Sequence, residues 1–131
     1  MEPFDKAQDK PLAARIRPTK LDDVVGQVHL VGPESVEGST KRSAGPLRVA
    51  VEKKHKFSFI LWGPPGTGKT TIARIYARAL DVELFELSAV SAGKDDIRKI
   101  ITADADGKNK VLFLDEIHRF NKSQQDFLLP Y

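Results

Sequence analysis

A glycine-rich turn that ends in a lysine and a threonine is the most chemically distinctive feature of the sequence: Gly63-Pro64-Pro65-Gly66-Thr67-Gly68-Lys69-Thr70. It matches the phosphate-loop pattern G-x-x-x-x-G-K-[ST] at every position. Glycines let the backbone curl so that successive N–H groups point toward one centre, and a helix that begins near Lys69 adds the positive end of its dipole. Such a turn suits a polyphosphate. We therefore expect a nucleoside triphosphate here, with Lys69 reaching its β- and γ-phosphates and Thr70 ligating Mg²⁺.

A second polar group follows the apolar run VLFLD, residues 111–115. Asp115 ends this run, where a carboxylate can hold the Mg²⁺ shell, and Glu116 can polarise a water for attack on the γ-phosphate. A chance turn, or acids that only cap a helix, is the alternative interpretation. The strand before the glycine turn, the helix after it and the acidic pair together oppose that alternative. An acid directly after the metal-binding aspartate favours ATP hydrolysis over phosphotransfer to a small molecule.

Other polar residues carry weaker signals, and for each the sequence leaves two readings open. His118 follows the acidic pair and is either a conformational relay or a locally hydrogen-bonded histidine. Arg119 and Lys122 either face a partner such as DNA or form a solvated face. Lys41 and Arg42 either touch a phosphate backbone or lie on a solvated loop tip.

Composition sets broad limits on the class of protein. The chain has 131 residues, the size of one domain, and no cysteine, which excludes disulfides and cysteine-based metal sites. The first ten residues are charged and do not resemble a secretory signal. No apolar run approaches the roughly 18 residues of a membrane span. The net charge of +3 and the pI of about 9.2 permit a nucleic-acid partner without arguing for one.

The elements that must position these residues alternate between strand and helix. We expect a flexible lead-in over residues 1–11, turns and brief helical pieces over 12–31, and an exposed loop over 32–46. A short helix with Leu47, Ala50 and Val51 on one face follows. We expect three strands, at FSFILW (57–62), VELFEL (82–87) and VLFLD (111–115). We expect helices from about Lys69 to Leu80 and over 95–103, and a last helix capped by the pair Ser123 and Asp126. Trp62 is expected to pack beneath the loop. This alternation predicts an α/β fold with a parallel sheet.

Three segments together resemble the AAA+ ATPases: RPTKLDDVVGQ (17–27), ILWGPPGTGKTT (60–71) and LDEIHRFNKSQQD (114–126). The continuation HRFNKSQQD resembles the replication-associated recombination protein A family, the bacterial relatives of the Werner-helicase-interacting protein. The resemblance runs from about Pro11 to Pro130, with residues 34–44 as an insertion.

The resemblance implies a P-loop NTPase fold of the AAA+ type, a parallel sheet flanked by helices, incomplete at its C-terminal side. The family's strand order is 5-1-4-3-2, and the three expected strands correspond to strands 1, 2 and 3. Strand 4 would lie between strands 1 and 3. On this basis residues 12–131 are expected to be the N-terminal part of an AAA+ domain from a longer protein.

The resemblance also implies a function. It implies an ATPase that uses ATP and Mg²⁺ at stalled replication forks, DNA ends and single-strand gaps, with single-stranded DNA-binding protein as a partner, a tetrameric assembly and a cytoplasmic, nucleoid-associated location. It implies that Val24, Val25 and Gly26 pack near the adenine and that Thr71 belongs to the nucleotide-binding set. A nucleotide-binding module without turnover and another AAA+ DNA motor, such as a clamp-loader subunit or a Holliday-junction branch-migration motor, are the alternatives.

Overall fold

The structure, a computed structural model, describes residues 10–33, 35–37, 40–103 and 109–131. Its helices and strands alternate from Lys69 onward, as the sequence predicts. In chain order they are α1 Leu12–Arg15, a 3₁₀ turn Leu21–Asp23, α2 Val28–Val31, β1 Ser35–Glu37, β2 Thr40–Arg42, α3 Pro46–Glu52, α4 Lys69–Ala79, β3 Glu83–Ser88, α5 Lys94–Thr102, β4 Lys110–Asp115, a 3₁₀ turn Ile117–Arg119 and α6 Lys122–Phe127.

Helices α4 and α5 form where apolar residues recur every three or four positions, which places them on one face of a helix. In α4 this face is buried, with Ile75 and Tyr76 only 3% and 2% exposed. In α5 Ile97 is fully buried, and the Asp96 carboxylate accepts the Gly93 N–H at 2.9 Å, which satisfies a free donor at the start of the helix. The helices expected after the glycine turn and over 95–103 are confirmed.

Strands β3 and β4 pair in parallel from Glu83↔Lys110 to Ser88↔Asp115, which confirms two of the three expected strands. Because side chains alternate along a strand, Val111 packs on one face of the pair while Leu112 and Leu114 pack on the other. The first face is covered by α4 and the N-terminal turns, the second by α5, the second 3₁₀ turn and α6. The buried clusters are Leu21, Val31, Leu47, Ala50, Ile72, Ile75, Tyr76 and Leu80 on one side, and Ala89, Ile97 and Phe120 on the other.

The expectation that FSFILW forms a buried strand is wrong for the structure. Residues 57–62 form no strand and pair with no described strand. One side of the segment is exposed, with Ile60 at 79% and Trp62 at 95%, while Phe59 and Leu61 are partly buried against the first cluster. Trp62 therefore does not pack beneath the loop, which corrects a second expectation. The segment is attached to α4 instead by the Tyr76 hydroxyl, which accepts the Phe57 N–H at 3.1 Å.

Two local features also differ from expectation. The stretch 32–46 contains the antiparallel strand pair β1–β2, and its last residue starts α3. The capping role expected of Ser123 and Asp126 belongs to Asn121, whose side chain accepts the Gln124 N–H at 2.9 Å while the Gln124 side chain accepts the Asn121 N–H at 3.0 Å. Outside the described part of the structure lie residues 1–9 of the expected lead-in 1–11, the turn residues 104–108 and the side chains of Lys41 and Arg42.

Candidate nucleotide site

The glycine turn closes on itself through two side chains. The Lys69 ammonium donates hydrogen bonds to the carbonyl oxygens of Gly63 at 2.7 Å and Pro64 at 2.9 Å. The Thr67 hydroxyl donates to the same Pro64 carbonyl at 3.0 Å. Lys69 therefore spans the turn from its last residues to its first, and its positive charge lies within the loop.

Gly66 and Gly68 give the turn its curvature. Their φ angles are +80° and +89°, in a region that residues with a side chain adopt only with strain. A side chain at either position would meet no atom within 4 Å, so the protein leaves the space beside this backbone open. Helix α4 starts at this point with no side-chain cap. Among the described residues, the N–H groups of Gly68, Lys69 and Thr70 meet no acceptor. The turn thus presents N–H donors, a helix N-terminus and an ammonium group, a donor set that fits a polyphosphate.

The acidic pair lies where β4 ends. Asp115 is exposed, and its Oδ1 accepts the N–H of Glu116 at 2.9 Å, which orients the carboxylate. Its backbone carbonyl accepts the Ala89 N–H, so β4 is attached to the chain beyond β3 at this end. Glu116 is exposed and adopts a left-handed conformation with φ 55° and ψ 42°, a strain of roughly 1–2 kcal/mol for a residue other than glycine. Strain of this kind concentrates at functional sites.

The segment expected near the adenine lies beside the first buried cluster. Val24 packs against that cluster, whereas Val25 is 96% exposed and Gly26 has φ +79°. The reversal at Gly26 turns the chain into α2. Thr71 follows Thr70 in the first turn of α4 and is partly buried.

Connectivity places the glycine turn and the acidic pair at the same edge of the sheet. The C-terminal end of α4 leads directly into the start of β3, so its N-terminal end lies toward the strand ends at Ser88 and Asp115. The eleven residues of α4 span about 16 Å and the six of β3 about 20 Å, so the helix nearly matches the strand in length. Within the described ranges no hydrogen bond or ion pair joins the turn to Asp115 or Glu116. The same residues contain no cluster of three or more His, Asp or Glu side chains able to hold a metal ion by themselves.

The cationic candidates near the acidic pair are exposed. His118 and Arg119 lie in the second 3₁₀ turn and Lys122 starts α6. Sequence reasoning missed Arg74 and Arg78, which occupy the outer face of α4. Their spacing of four residues, which aligns side chains on one face of a helix, was the available signal.

Residues 59–129 match the sequence model of the ATPase family associated with various cellular activities (AAA). This match covers more than half of the chain and contains both the glycine turn and the acidic pair. The chain belongs to the AAA family of ATPases.

The relatives of this AAA chain confirm the resemblance expected from the sequence. It is 47% identical to replication-associated recombination protein A of Haemophilus influenzae over 98% of its own length and 28% of the relative's. It is 44% identical to the Bacillus subtilis protein of the same name, over 93% of this chain and 27% of the relative. It is also 40% identical to the ATPase WRNIP1 of Dictyostelium discoideum, over 97% of this chain and 14% of that protein. The chain therefore spans about a quarter of the length of the bacterial relatives.

Solved structures confirm the expected AAA+ fold. A variant of RuvB from Thermotoga maritima superposes with a TM-score of 0.63 at 33% identity, over 88% of this chain and 36% of that one. The Thermotoga maritima RuvB structure described as a Holliday junction branch migration motor gives a TM-score of 0.59 at 30% identity, with the same coverage.

Proposed function

We propose that this chain supplies the nucleotide-binding part of an ATP-hydrolysing protein that acts on DNA during replication and recombination. The observation that carries the proposal is the glycine turn, which presents free N–H donors, an uncapped helix end and the Lys69 ammonium around one open space. The names of the relatives, which concern recombination at replication and a Holliday junction motor, support the DNA part of the proposal.

In this proposal the turn Gly63–Thr70, with Thr71, binds the phosphates of ATP. Lys69 exchanges its carbonyl partners, Gly63 and Pro64, for phosphate oxygens, which have higher negative charge and so form stronger hydrogen bonds. Val24, Val25 and Gly26 contact the adenine. The exposed Val25 would bury apolar surface against the base.

Thr70 and Asp115 are the proposed ligands of Mg²⁺, which supplies charge neutralisation on the phosphates when bound. Two protein oxygens are the usual contribution to a Mg²⁺ site, because waters and phosphates complete the octahedron. The absence of a three-carboxylate cluster in the described residues is therefore compatible with this assignment. Glu116 is the proposed general base: its carboxylate accepts a proton from the water that attacks the γ-phosphate.

The partners belong to the proposal as well. They are DNA at ends, gaps and stalled forks, single-stranded DNA-binding protein, and further copies of the same chain in an oligomer. A cytoplasmic location at the nucleoid follows from the same assignment. No helix in the described part of the chain is long and apolar enough to cross a membrane.

Nucleotide binding without turnover is a second candidate. It is favoured by Glu116, which is exposed and has no hydrogen-bond or ion-pair partner for its carboxylate among the described residues. A base that nothing orients gives little rate enhancement. Turnover in related nucleotide hydrolases also depends on an arginine supplied by a neighbouring subunit, which raises the rate of hydrolysis by about 10³–10⁵.

A titration of the 131-residue chain with Mg·ATP tests the proposal, read by the fluorescence of Trp62, which directly precedes Gly63. Saturable binding is expected, with loss in Lys69→Ala and no change in the control Lys56→Ala, an exposed lysine outside the turn. Equal binding by the parent and Lys69→Ala would refute the nucleotide site. Phosphate release under excess ATP, with and without single-stranded DNA, separates hydrolysis from binding alone.

A further inference from the structure

A basic cleft runs along the outer face of α4, away from the glycine turn. One recess of about 340 Å³ lies between this helix and the N-terminal segment, and its charged lining is Lys10, Arg17, Arg74 and Arg78. An adjoining recess of about 440 Å³ shares Arg74 and Arg78 and adds the acids Asp81 and Glu86. Four cations and two acids line the two recesses, so the cleft, defined by Lys10, Arg17, Arg74 and Arg78, has a net positive charge.

One of these cations is fixed in orientation. The Arg74 guanidinium donates to both carboxylate oxygens of Glu86, at 2.6 and 2.9 Å. Hydrogen bonding by Arg74 holds the pKa of Glu86 below its ordinary value, and the charge of Arg17, which lines the same recess as Arg74, acts in the same direction. Within the described residues Lys10, Arg17 and Arg78 form no ion pair. No described acid therefore holds these three cations in a direct ion pair, which leaves them able to contact an anionic partner.

The lining favours a phosphodiester backbone over an acidic peptide. Guanidinium groups are always charged and bind phosphate oxygens in pairs. Arg74 and Arg78, one helical turn apart, are separated by about 6 Å along the helix axis and so present two cations in a row. The apolar lining is Ala14, Pro18 and Ile75 in the first recess and Ala77, Val82 and Leu84 in the second, and none of the larger side chains among them is exposed. A peptide would find little apolar surface on which to anchor side chains.

A single strand fits this cleft better than a duplex. The flexible backbone of a single strand can adjust its phosphates to the positions of these cations, whereas duplex DNA, with a persistence length of about 150 base pairs, undergoes any such deformation only at an energetic cost. The cleft contains no aromatic side chain on which a base could stack. Contacts would therefore be to phosphates alone and independent of sequence.

We propose that the cleft formed by Lys10, Arg17, Arg74 and Arg78 binds the phosphate backbone of single-stranded DNA. This inference rests on the proposed function in taking DNA as the partner. It assigns the contact to residues distinct from those of the nucleotide site, since Arg74 lies one helical turn beyond Thr70.

The experiment measures the binding of a fluorescein-labelled oligo(dT) to the 131-residue chain by polarisation, as a function of salt. The test variant combines Arg17→Gln with Arg78→Gln and leaves the Arg74–Glu86 pair intact. The control combines Lys53→Gln with Lys56→Gln, two exposed lysines outside the cleft, and removes the same charge.

For single strands, log K falls with log salt by about 0.7 per neutralised phosphate, so loss of two contacts reduces this slope by about 1.4. Between 50 and 200 mM salt the parent should then lose about seven-fold more affinity than the test variant. The control should retain nearly the parental slope.

If the slope of log K against log salt is parental in both variants, or decreases equally in both, the cleft assignment is overturned and the proposed function stays in place. A labelled poly-glutamate peptide that binds more tightly than oligo(dT), and loses this binding in the test variant, would overturn it in favour of a protein partner. No oligo(dT) binding by the parent would remove the cleft assignment and the DNA part of the proposed function together. The Lys69→Ala titration would still decide nucleotide binding by itself.

Discussion

The hydroxyl of Tyr76 offers a stringent test of how the segment before the phosphate loop is held in place. This side chain is 2% exposed. Its hydroxyl donates to the His55 carbonyl at 3.1 Å and accepts the Phe57 N–H at 3.1 Å. Its ring packs edge-on against Phe59 at 5.2 Å. Tyr76→Phe keeps the ring contact and removes both hydrogen bonds.

The expected cost of Tyr76→Phe follows from these contacts. Each neutral hydrogen bond contributes about 1 kcal/mol, and a buried group left without a partner costs up to about 3 kcal/mol. Phe57 is 40% exposed, so water reaches part of this region and the lower end of the range applies. We expect the free energy of unfolding to fall by about 1.5 kcal/mol. For the 131 residues of the chain the entropy of unfolding is about 0.28 kcal/mol/K, which converts this loss to about 5 °C in Tm.

Thermal unfolding followed by circular dichroism measures the shift. Tyr131→Phe is a matched control, because Tyr131 is 61% exposed and its hydroxyl has no partner among the described residues. A decrease below about 1 °C in Tyr76→Phe, or an equal decrease in both variants, would show that the hydroxyl does not hold residues 55–57 to α4.

Three further predictions concern the site and its surroundings. Glu116→Gln should bind Mg·ATP with an affinity within two-fold of the parent but release phosphate about 10²–10⁴ times more slowly, because the amide cannot accept the proton of the attacking water. Equal phosphate release by the two proteins would show that Glu116 is not the general base. Gly68→Ala should weaken Mg·ATP binding about ten-fold, because alanine at φ +89° is strained by roughly 1–2 kcal/mol. The control Gly93→Ala should bind Mg·ATP as the parent does, because Gly93 has φ −115° and no atom lies within 4 Å of the added carbon. Because the hydrogen bond from Arg74 lowers the pKa of Glu86, this carboxylate stabilises the fold above its ordinary pKa and stops doing so as the pH falls through the lowered value. The urea midpoint of the parent should therefore exceed that of Glu86→Gln at neutral pH by a small, salt-sensitive margin, since both side chains are more than a third exposed. The margin should disappear as the pH falls through the lowered pKa of Glu86, and a margin that grows on acidification would contradict the assignment.

The phosphate loop and the elements around it could be predicted because their signals are local. The order of glycine, lysine and threonine specifies a turn that leads into a helix, and Ile72, Ile75 and Tyr76 specify the buried face of that helix. The parallel pairing of 83–88 with 110–115 agrees with the strand order that the family resemblance implies. Whether the site residues act as proposed stays a prediction, since neither the fold nor the relatives test their roles.

The errors arose where tertiary context decides the outcome. FSFILW has the apolar composition of a buried strand, but a strand also needs a neighbour with which to exchange hydrogen bonds, and no described strand provides one. Trp62 directly precedes Gly63, but adjacency in sequence does not decide whether its side chain packs beneath the loop, and it is 95% exposed. Ser123 and Asp126 fit the capping pattern, but Asn121 and Gln124 fit it two residues earlier, and only the position of the first helical residue distinguishes the two pairs.

The open backbone of residues 57–62 has a thermodynamic consequence for the phosphate loop. This segment leads directly into Gly63, and its N–H and C=O groups beyond Phe57 meet no described backbone partner. Any strand that pairs with this segment would restrict the backbone that leads into the loop. A nucleotide that binds afterwards would then cost less conformational entropy of the loop. Linkage requires the effect to be mutual: whatever factor the strand adds to nucleotide affinity, the nucleotide adds to the affinity of the strand. The edge and the loop would then respond to each other as one cooperative unit.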